Sequence, residues 1–182
     1  MSYKRWVFIA IFLFGIGLVL GLATPTSITG FLSDDITALE ELSDILVPFN
    51  FLTVILIFIK NVSALVLSFI LSPILCLVPV LALTVNGWLI AFISVGVVQE
   101  KSIGFLLAGL LPHGIFELPA LILGEAAALS FGTMVMLALF KKEGKKPILP
   151  LLKQNLKYLM LVVALLLPAA IIETYFTPLL LT

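Results

Sequence analysis

The sequence predicts an all-α membrane protein, a single domain over residues 1–182 built as a bundle of about five transmembrane helices. Hydrophobic residues make up 62% of the chain and charged residues only 11%, and the mean hydropathy is +1.30. A soluble domain has about 45–50% apolar and about 25% charged residues, and so has polar surface that this chain lacks. Several apolar runs also reach the roughly 20 residues that a helix needs to cross a bilayer. The lipid bilayer is therefore the expected surrounding of the chain.

The first two segments differ in charge. An apolar run over 6–23 follows two basic residues and is long enough to span a membrane. The segment 24–49 contains five acidic residues, with apolar residues recurring among them at helical spacing. This pattern predicts a first membrane span followed by an external amphipathic helix.

Three further apolar regions lie between residue 50 and the C-terminus. A turn near Ser72 and Pro73 divides the first of them into two spans, about 50–72 and 74–98, because proline interrupts a helix. The last region, 156–181, predicts a final span whose acidic residue comes late and is expected at the outer interface.

The remaining apolar run, 103–140, is too long for one ordinary span. Pro112 and Gly114 are the natural breakpoint, since both residues disfavour a continuous helix. We therefore expect a short or re-entrant helix to about residue 111, a break, and a long helix over about 114–140. Such a break is tolerated only where protein or water satisfies the freed backbone groups.

The basic residues predict how the chain is oriented in the cell membrane. Lys4 and Arg5 precede the first span, and lysines recur in the loop 141–153. Because cytoplasmic loops are rich in lysine and arginine, the N-terminus and this loop are expected in the cytoplasm, and 24–49 and the C-terminus outside. The loop has this topological explanation, so a nucleic acid partner is not expected.

Ionisable and amide side chains inside the apolar runs mark a candidate site. His113, the chain's one histidine, and Glu117 are four residues apart, which places them on the same face of a helix. Glu125 continues this series two turns later. Asn61 and Asn86 interrupt other predicted spans and are expected to hydrogen-bond across helices. The five residues predict a buried polar site at the helix break, because unpaired ionisable groups are costly in a bilayer.

Small residues spaced four positions apart predict close contacts between helices. They form two groups: Gly17 and Gly21 in the first span, and Ala120, Gly124, Ala128 and Gly132 beside the polar series. Such surfaces also allow two copies of a chain to associate, and we expect a homo-oligomer, most simply a dimer.

Several of these polar and glycine residues, in this order, resemble the stage II sporulation protein M family of prokaryotic membrane proteins. They are Lys60-Asn61, Asn86-Gly87, Leu111-Pro112-His113-Gly114, Glu117, Gly124 and Ile172-Glu173. The resemblance covers the chain from about residue 50 onward. One departure is Ala126-Ala127-Ala128, where the family often has a further glycine.

The resemblance implies a role in the cell envelope. The member of the family from spore-forming bacteria is a membrane component of the engulfment machinery and works with peptidoglycan-degrading proteins. Relatives also occur in prokaryotes that form no spores. The resemblance implies no catalytic residue.

The residues leave three interpretations of the polar site open. It is structural, with each polar group paired to another helix; or it lines a path for an ion, a proton or a lipid headgroup; or His113, Glu117 and Glu125 hold a metal for hydrolysis. No HExxH motif, cysteine cluster or phosphate-binding loop is present. We therefore expect no cofactor and no enzymatic activity, but a scaffold or accessory subunit for envelope remodelling. The alternative is a small transporter or channel-like component.

Overall fold

The computed structural model describes residues 2–25, 47–140 and 148–181, and in these ranges it is built from helices. In chain order they are α1 (Tyr3–Ala23), α2 (Phe51–Leu71), α3 (Leu77–Glu100), α4 (Ile103–Phe140), α5 (Ile148–Tyr175) and α6 (Thr177–Leu181). The first five are long and apolar enough to cross a membrane. The predicted all-α bundle with about five spans is therefore confirmed.

Two predicted segments fall largely or partly outside the described residues. The external amphipathic segment 24–49 has only its ends, up to Pro25 and from Val47, in the described ranges. The basic loop 141–153 is described from Ile148 onward, where the chain is already helical. The prediction therefore extended this loop too far, because leucines and a lysine after Pro150 are compatible with the first turns of a helix.

A tight turn over residues 72–76 separates α2 from α3, at the position that the sequence predicts. Leu75 and Cys76 both have a φ of 53°, in the left-handed region, and the Cys76 N–H donates to the Ser72 carbonyl at 3.0 Å. The Ser72 hydroxyl donates to the Phe69 carbonyl at 2.8 Å. These bonds satisfy backbone groups at the helix end, where the intrahelical bonds stop.

The predicted break at Pro112 and Gly114 is wrong, because α4 runs through both residues and through Pro119 as well. A proline removes one backbone hydrogen bond from a helix, because it has no N–H to donate to the carbonyl four residues earlier. Pro112 therefore frees the carbonyl of Ala108, and Pro119 frees that of Ile115. A helix end frees several groups at once, and each is costly in a bilayer. Continuing the helix past two prolines is therefore the cheaper solution, and there is no short or re-entrant helix before residue 112.

The long helix α4 is the centre of the bundle and contacts every other described helix. All residues from Gly124 to Ser130 are buried. Three of them, Ala126, Ala127 and Ala128, are completely inaccessible to solvent. Their small side chains let the neighbouring helices approach the α4 backbone closely.

Glycines set the contact between α1 and α3. A Cβ atom added to Gly17 would clash with the Thr84 carbonyl oxygen, and one added to Gly21 with the carbonyl oxygen of Trp88. From the other side, a Cβ on Gly87 would clash with the Phe14 carbonyl oxygen. The two backbones are therefore in direct contact, as in the close helix pairs that glycine permits in membranes.

The small residues of α4 face α2 and α5 within the same chain. Gly124 meets the side chain of Leu65, and Gly132 meets the carbonyl of Ser72. Ala120 and Ala128 are fully buried, Ala120 in a cluster with Leu65, Val162 and Leu166, and Ala128 with Phe69. The residues that motivated a homodimer are thus covered by the chain itself, and the dimer stays a prediction.

Candidate functional site

Three ionisable side chains from α4 and α5 come together inside the bundle. His113 and Glu117 lie one turn apart on α4, and the last turn of α5 brings Glu173 against them. One ligand atom from each of the three lies within 4.8 Å of the other two. We call these three residues the His–Glu cluster.

Side chains from two further helices hold the cluster. Asn61 on α2 donates through Nδ2 to Glu117 Oε1 at 3.1 Å. Glu117 Oε2 lies 3.9 Å from His113 Nε2. The other ring nitrogen, Nδ1, is 3.4 Å from the hydroxyl of Thr177 at the start of α6. The His113 side chain is 15% exposed and that of Glu117 33%. The cluster thus joins α2, α4, α5 and α6.

Glu125 does not belong to the cluster, although the sequence places it in the same series as His113 and Glu117. It is 2% exposed, and its Oε2 accepts from the hydroxyl of Ser68 on α2 at 2.5 Å. Eight residues of helix separate it from Glu117 by about 12 Å along the axis and turn it by about 80°. It therefore faces α2 at a different level of the bundle.

Asn86 takes a different position from the one predicted. It is exposed on α3, and its Nδ2 donates to the Ala82 carbonyl of its own helix at 2.7 Å. The predictions that it is buried and that it bonds to a neighbouring helix are therefore wrong. A helix carbonyl one turn back is always within reach of such an amide, so the bond requires no partner helix.

A cavity of about 470 Å³ is lined by two residues of the cluster, His113 and Glu117, and by Asn61, Asn86 and Glu125. Its lining residues come from α2, α3, α4 and α5. Its polar lining comes from Lys60, Asn61, Asn86, His113, Glu117 and Glu125. Lys60 and Asn86 are exposed, so the cavity opens to the outside of the bundle. Asn86 is thus part of the site's surroundings without touching the cluster.

Sequence reasoning missed Glu173 and Thr177 as site residues. Glu173 is expected at the outer interface, which stays a prediction, and the structure adds that it lies in the cluster, with Glu117 and Lys60 as its charged neighbours. The segment Ile172-Glu173 was among the residues that carry the family resemblance, and this signal was available. No sequence pattern marks Thr177, because only the turn at Phe176 brings α6 back onto α4.

The arrangement offers one imidazole and two carboxylates within reach of a shared partner. Such a set can bind a cation or exchange a proton.

Comparison with protein families gives a match over residues 8–178 to the family described as Stage II sporulation protein M. The matched range contains the whole His–Glu cluster, the two residues that hold it and the cavity lining. Searches of curated proteins and of solved structures give no match.

Proposed function

Because the chain belongs to the stage II sporulation protein M family, we propose that it is a non-enzymatic scaffold or accessory subunit for remodelling of the cell envelope. The observation that carries this proposal is the pairing of its intramembrane acids with side chains of other helices. Asn61 binds Glu117, and Ser68 binds Glu125. Polar groups used in this way fix the arrangement of a bundle.

The cost of unpaired polar groups in a bilayer favours a structural role for these pairs. An unpaired polar group within a bilayer costs several kcal/mol. A hydrogen bond between membrane helices contributes about 0.6 kcal/mol on average, because the separated helices also find partners. The pairs therefore add little net stability, but they penalise every arrangement in which the partner helix is displaced.

An accessory subunit also needs a surface for its partner, and the mouth of the cavity is suitable. Lys60 and Asn86 are exposed in the middle of α2 and α3. Acyl chains cannot satisfy an ammonium or an amide group. A membrane or envelope protein that presents acidic or amide side chains there would satisfy both, whereas nucleic acid has no access.

The proposal includes the orientation of the chain in the membrane. Lys4 and Arg5 lie in the first turn of α1, and the five spans found among the described residues would place the two ends of the chain on opposite sides of the membrane. We place the N-terminus and the basic loop in the cytoplasm, and the C-terminus outside. In a Cys76→Ala background, an impermeant maleimide added to intact cells should label Ser102→Cys and not Ser2→Cys. The reverse labelling would contradict this orientation.

A second function, as a small transporter or channel-like component, is favoured by one observation. The walls of the cavity of about 470 Å³ carry several polar side chains, among them Lys60, His113 and Glu125. Ionisable residues within a membrane often mark the path of an ion or a proton.

A flux measurement separates the two functions. Wild type and His113→Ala are reconstituted in liposomes containing pH- and voltage-sensitive dyes, with protein-free liposomes as the baseline. The scaffold function predicts baseline flux for both proteins. Flux by the wild type that His113→Ala abolishes would replace the scaffold with the transporter.

Photo-crosslinking in native membranes tests the partner surface. A photoreactive residue replaces Ile93, which lines the cavity, and in a control Met160, which is 71% exposed on α5. We expect an adduct with another membrane or envelope protein from position 93 and none from position 160. An adduct of twice the chain mass would support the homodimer instead, and equal labelling from both positions would contradict a specific surface.

A further inference from the structure

We propose that His113, Glu117 and Glu173 bind a divalent transition metal ion of the Zn²⁺ class. One imidazole nitrogen and two carboxylate oxygens are ligands that Zn²⁺ and its neighbours accept in proteins. This site goes beyond the proposed function, since neither a scaffold nor a transport path requires a metal. It also differs from the set that the sequence suggested, because Glu173 takes the place of Glu125.

The three ligand atoms are already near a binding geometry. They lie within 4.8 Å of one another, and His113 Nε2 is 3.9 Å from Glu117 Oε2. With metal–ligand bonds of about 2.0–2.2 Å in a tetrahedron, the ligand atoms would be roughly 3.4 Å apart. Small side-chain rotations close this difference, and no helix has to move.

The neighbouring polar groups are those that a metal site needs. A metal-binding histidine normally donates its second ring N–H to a nearby acceptor, which fixes the orientation of the ring. His113 directs Nε2 toward Glu117 and Nδ1 toward Thr177 Oγ1, at 3.4 Å. Asn61 holds Oε1 of Glu117 and leaves Oε2 directed toward the histidine. Both ligands are therefore oriented toward the same point.

The charges also favour a cation. Glu117 and Glu173 are close enough to repel each other, and Lys60 is the basic residue that interacts with Glu173. One lysine cannot compensate two carboxylates within a membrane, where uncompensated charge is costly. A divalent ion would compensate both, and it can reach the site because His113 and Glu117 line the open cavity.

Metal binding by the full chain tests the proposal. The purified protein in detergent is stripped with a chelator and dialysed against Zn²⁺, and bound metal is measured by mass spectrometry. We expect about one Zn²⁺ per chain, lost in His113→Gln and Glu173→Gln. Glu125→Gln is the matched control, since it removes an intramembrane acid from the same helix outside the cluster, and it should bind as the wild type does.

A variant that leaves all three ligands in place separates binding from folding. Thr177→Val removes the partner of His113 Nδ1, and we expect about 10–100-fold weaker Zn²⁺ binding with unchanged helical circular dichroism. Absence of Zn²⁺ from the stripped and reloaded wild type, or equal affinity in wild type, Glu173→Gln and Thr177→Val, would overturn the proposal. Neither result bears on the flux or crosslinking outcomes, so the two proposals fail separately.

Discussion

The α1–α3 contact and the His–Glu cluster hold helices of one bundle together in opposite ways. At the first, Gly17 and Gly21 bring two backbones into direct contact. At the second, polar side chains of moderate burial bridge four helices, with His113 still 15% exposed beside an open cavity. The first is a steric contact without ionisable groups, and the second is a polar contact with space around it.

The difference shows how a membrane protein separates stability from chemistry. In lipid, no hydrophobic force draws two apolar helices together, so close packing must supply the attraction. Backbone contacts do this well, but they leave no room for a ligand. The polar cluster gives up close packing, gains less stability per contact, and keeps groups available for binding. Substitutions should therefore cost most stability at the glycines and least at the cluster.

The largest effect is expected for Gly17→Ala. Its new methyl group would collide with the backbone carbonyl of Thr84, which cannot rotate away as a side chain can. Overpacking costs about 1–3 kcal/mol, and we expect the upper end of this range. Reversible unfolding of the purified protein in mixed detergent micelles measures the loss.

Gly15→Ala is the matched control on the same helix. A Cβ at Gly15 meets nothing within 4 Å, so stability should be unchanged or slightly higher, because alanine favours a helix over glycine. Equal losses for both variants would mean that α1 tolerates no substitution in general and that the direct backbone contact is not the cause.

The spans were predictable because their cause is local. Run length together with the proline at position 73 locates α2, α3 and the turn near Ser72. The family resemblance from the polar motifs is confirmed by the family match. Local helix preference predicts a break at Pro112 and Gly114 that the helix does not have, because this preference does not include the cost of freeing backbone groups in lipid.

The site was predictable only as far as it lies on one helix. The spacing of His113 and Glu117 fixes their common face. The same spacing misleads for Glu125, because over eight residues the helix turns it by about 80° around the axis, away from the face of Glu117. Glu173 joins through α5, and this requires knowing which helices are neighbours, which single-residue patterns do not contain.

Ser68→Ala sharpens the comparison at a buried polar pair. It removes the hydroxyl that donates to Glu125, whose side chain is almost completely inaccessible. Leaving a buried acceptor without its partner costs about 1–3 kcal/mol. In the same unfolding measurement, Ser63→Ala on the exposed face of α2 should have no effect. A loss no larger than in this control would show that Ser68 does not satisfy Glu125.

Tyr3→Phe probes a polar contact made by α1, the helix that carries Gly17 and Gly21. The Tyr3 hydroxyl donates to the Leu123 carbonyl at 2.7 Å, and its ring stacks on Tyr158 at 3.6 Å. The substitution keeps the stacking and removes the bond, for a loss of about 1 kcal/mol. Tyr158→Phe also keeps the stacking but removes a hydroxyl that has no hydrogen bond within the described ranges. An equal loss of stability in Tyr158→Phe would mean that changes in the ring stacking, and not the lost hydrogen bond, cause the effect.

The smallest effect is expected within the cluster itself, between Asn61 and Glu117. A double-mutant cycle with Asn61→Ala and Glu117→Ala isolates their hydrogen bond of 3.1 Å. We expect a coupling of about 0.6 kcal/mol, the average for such bonds between membrane helices. The control cycle pairs Asn86→Ala with Glu117→Ala, since Asn86 lines the same cavity but bonds to its own helix.

That control should show no coupling, because the two side chains have no contact to lose. A coupling between Asn61 and Glu117 of more than about 2 kcal/mol would exceed what such bonds contribute in membranes. It would make the cluster a main source of stability, equal to the glycine contact, and so contradict the division between the two regions. A small coupling beside a large Gly17→Ala loss would place stability in the backbone contacts and leave the cluster free to bind.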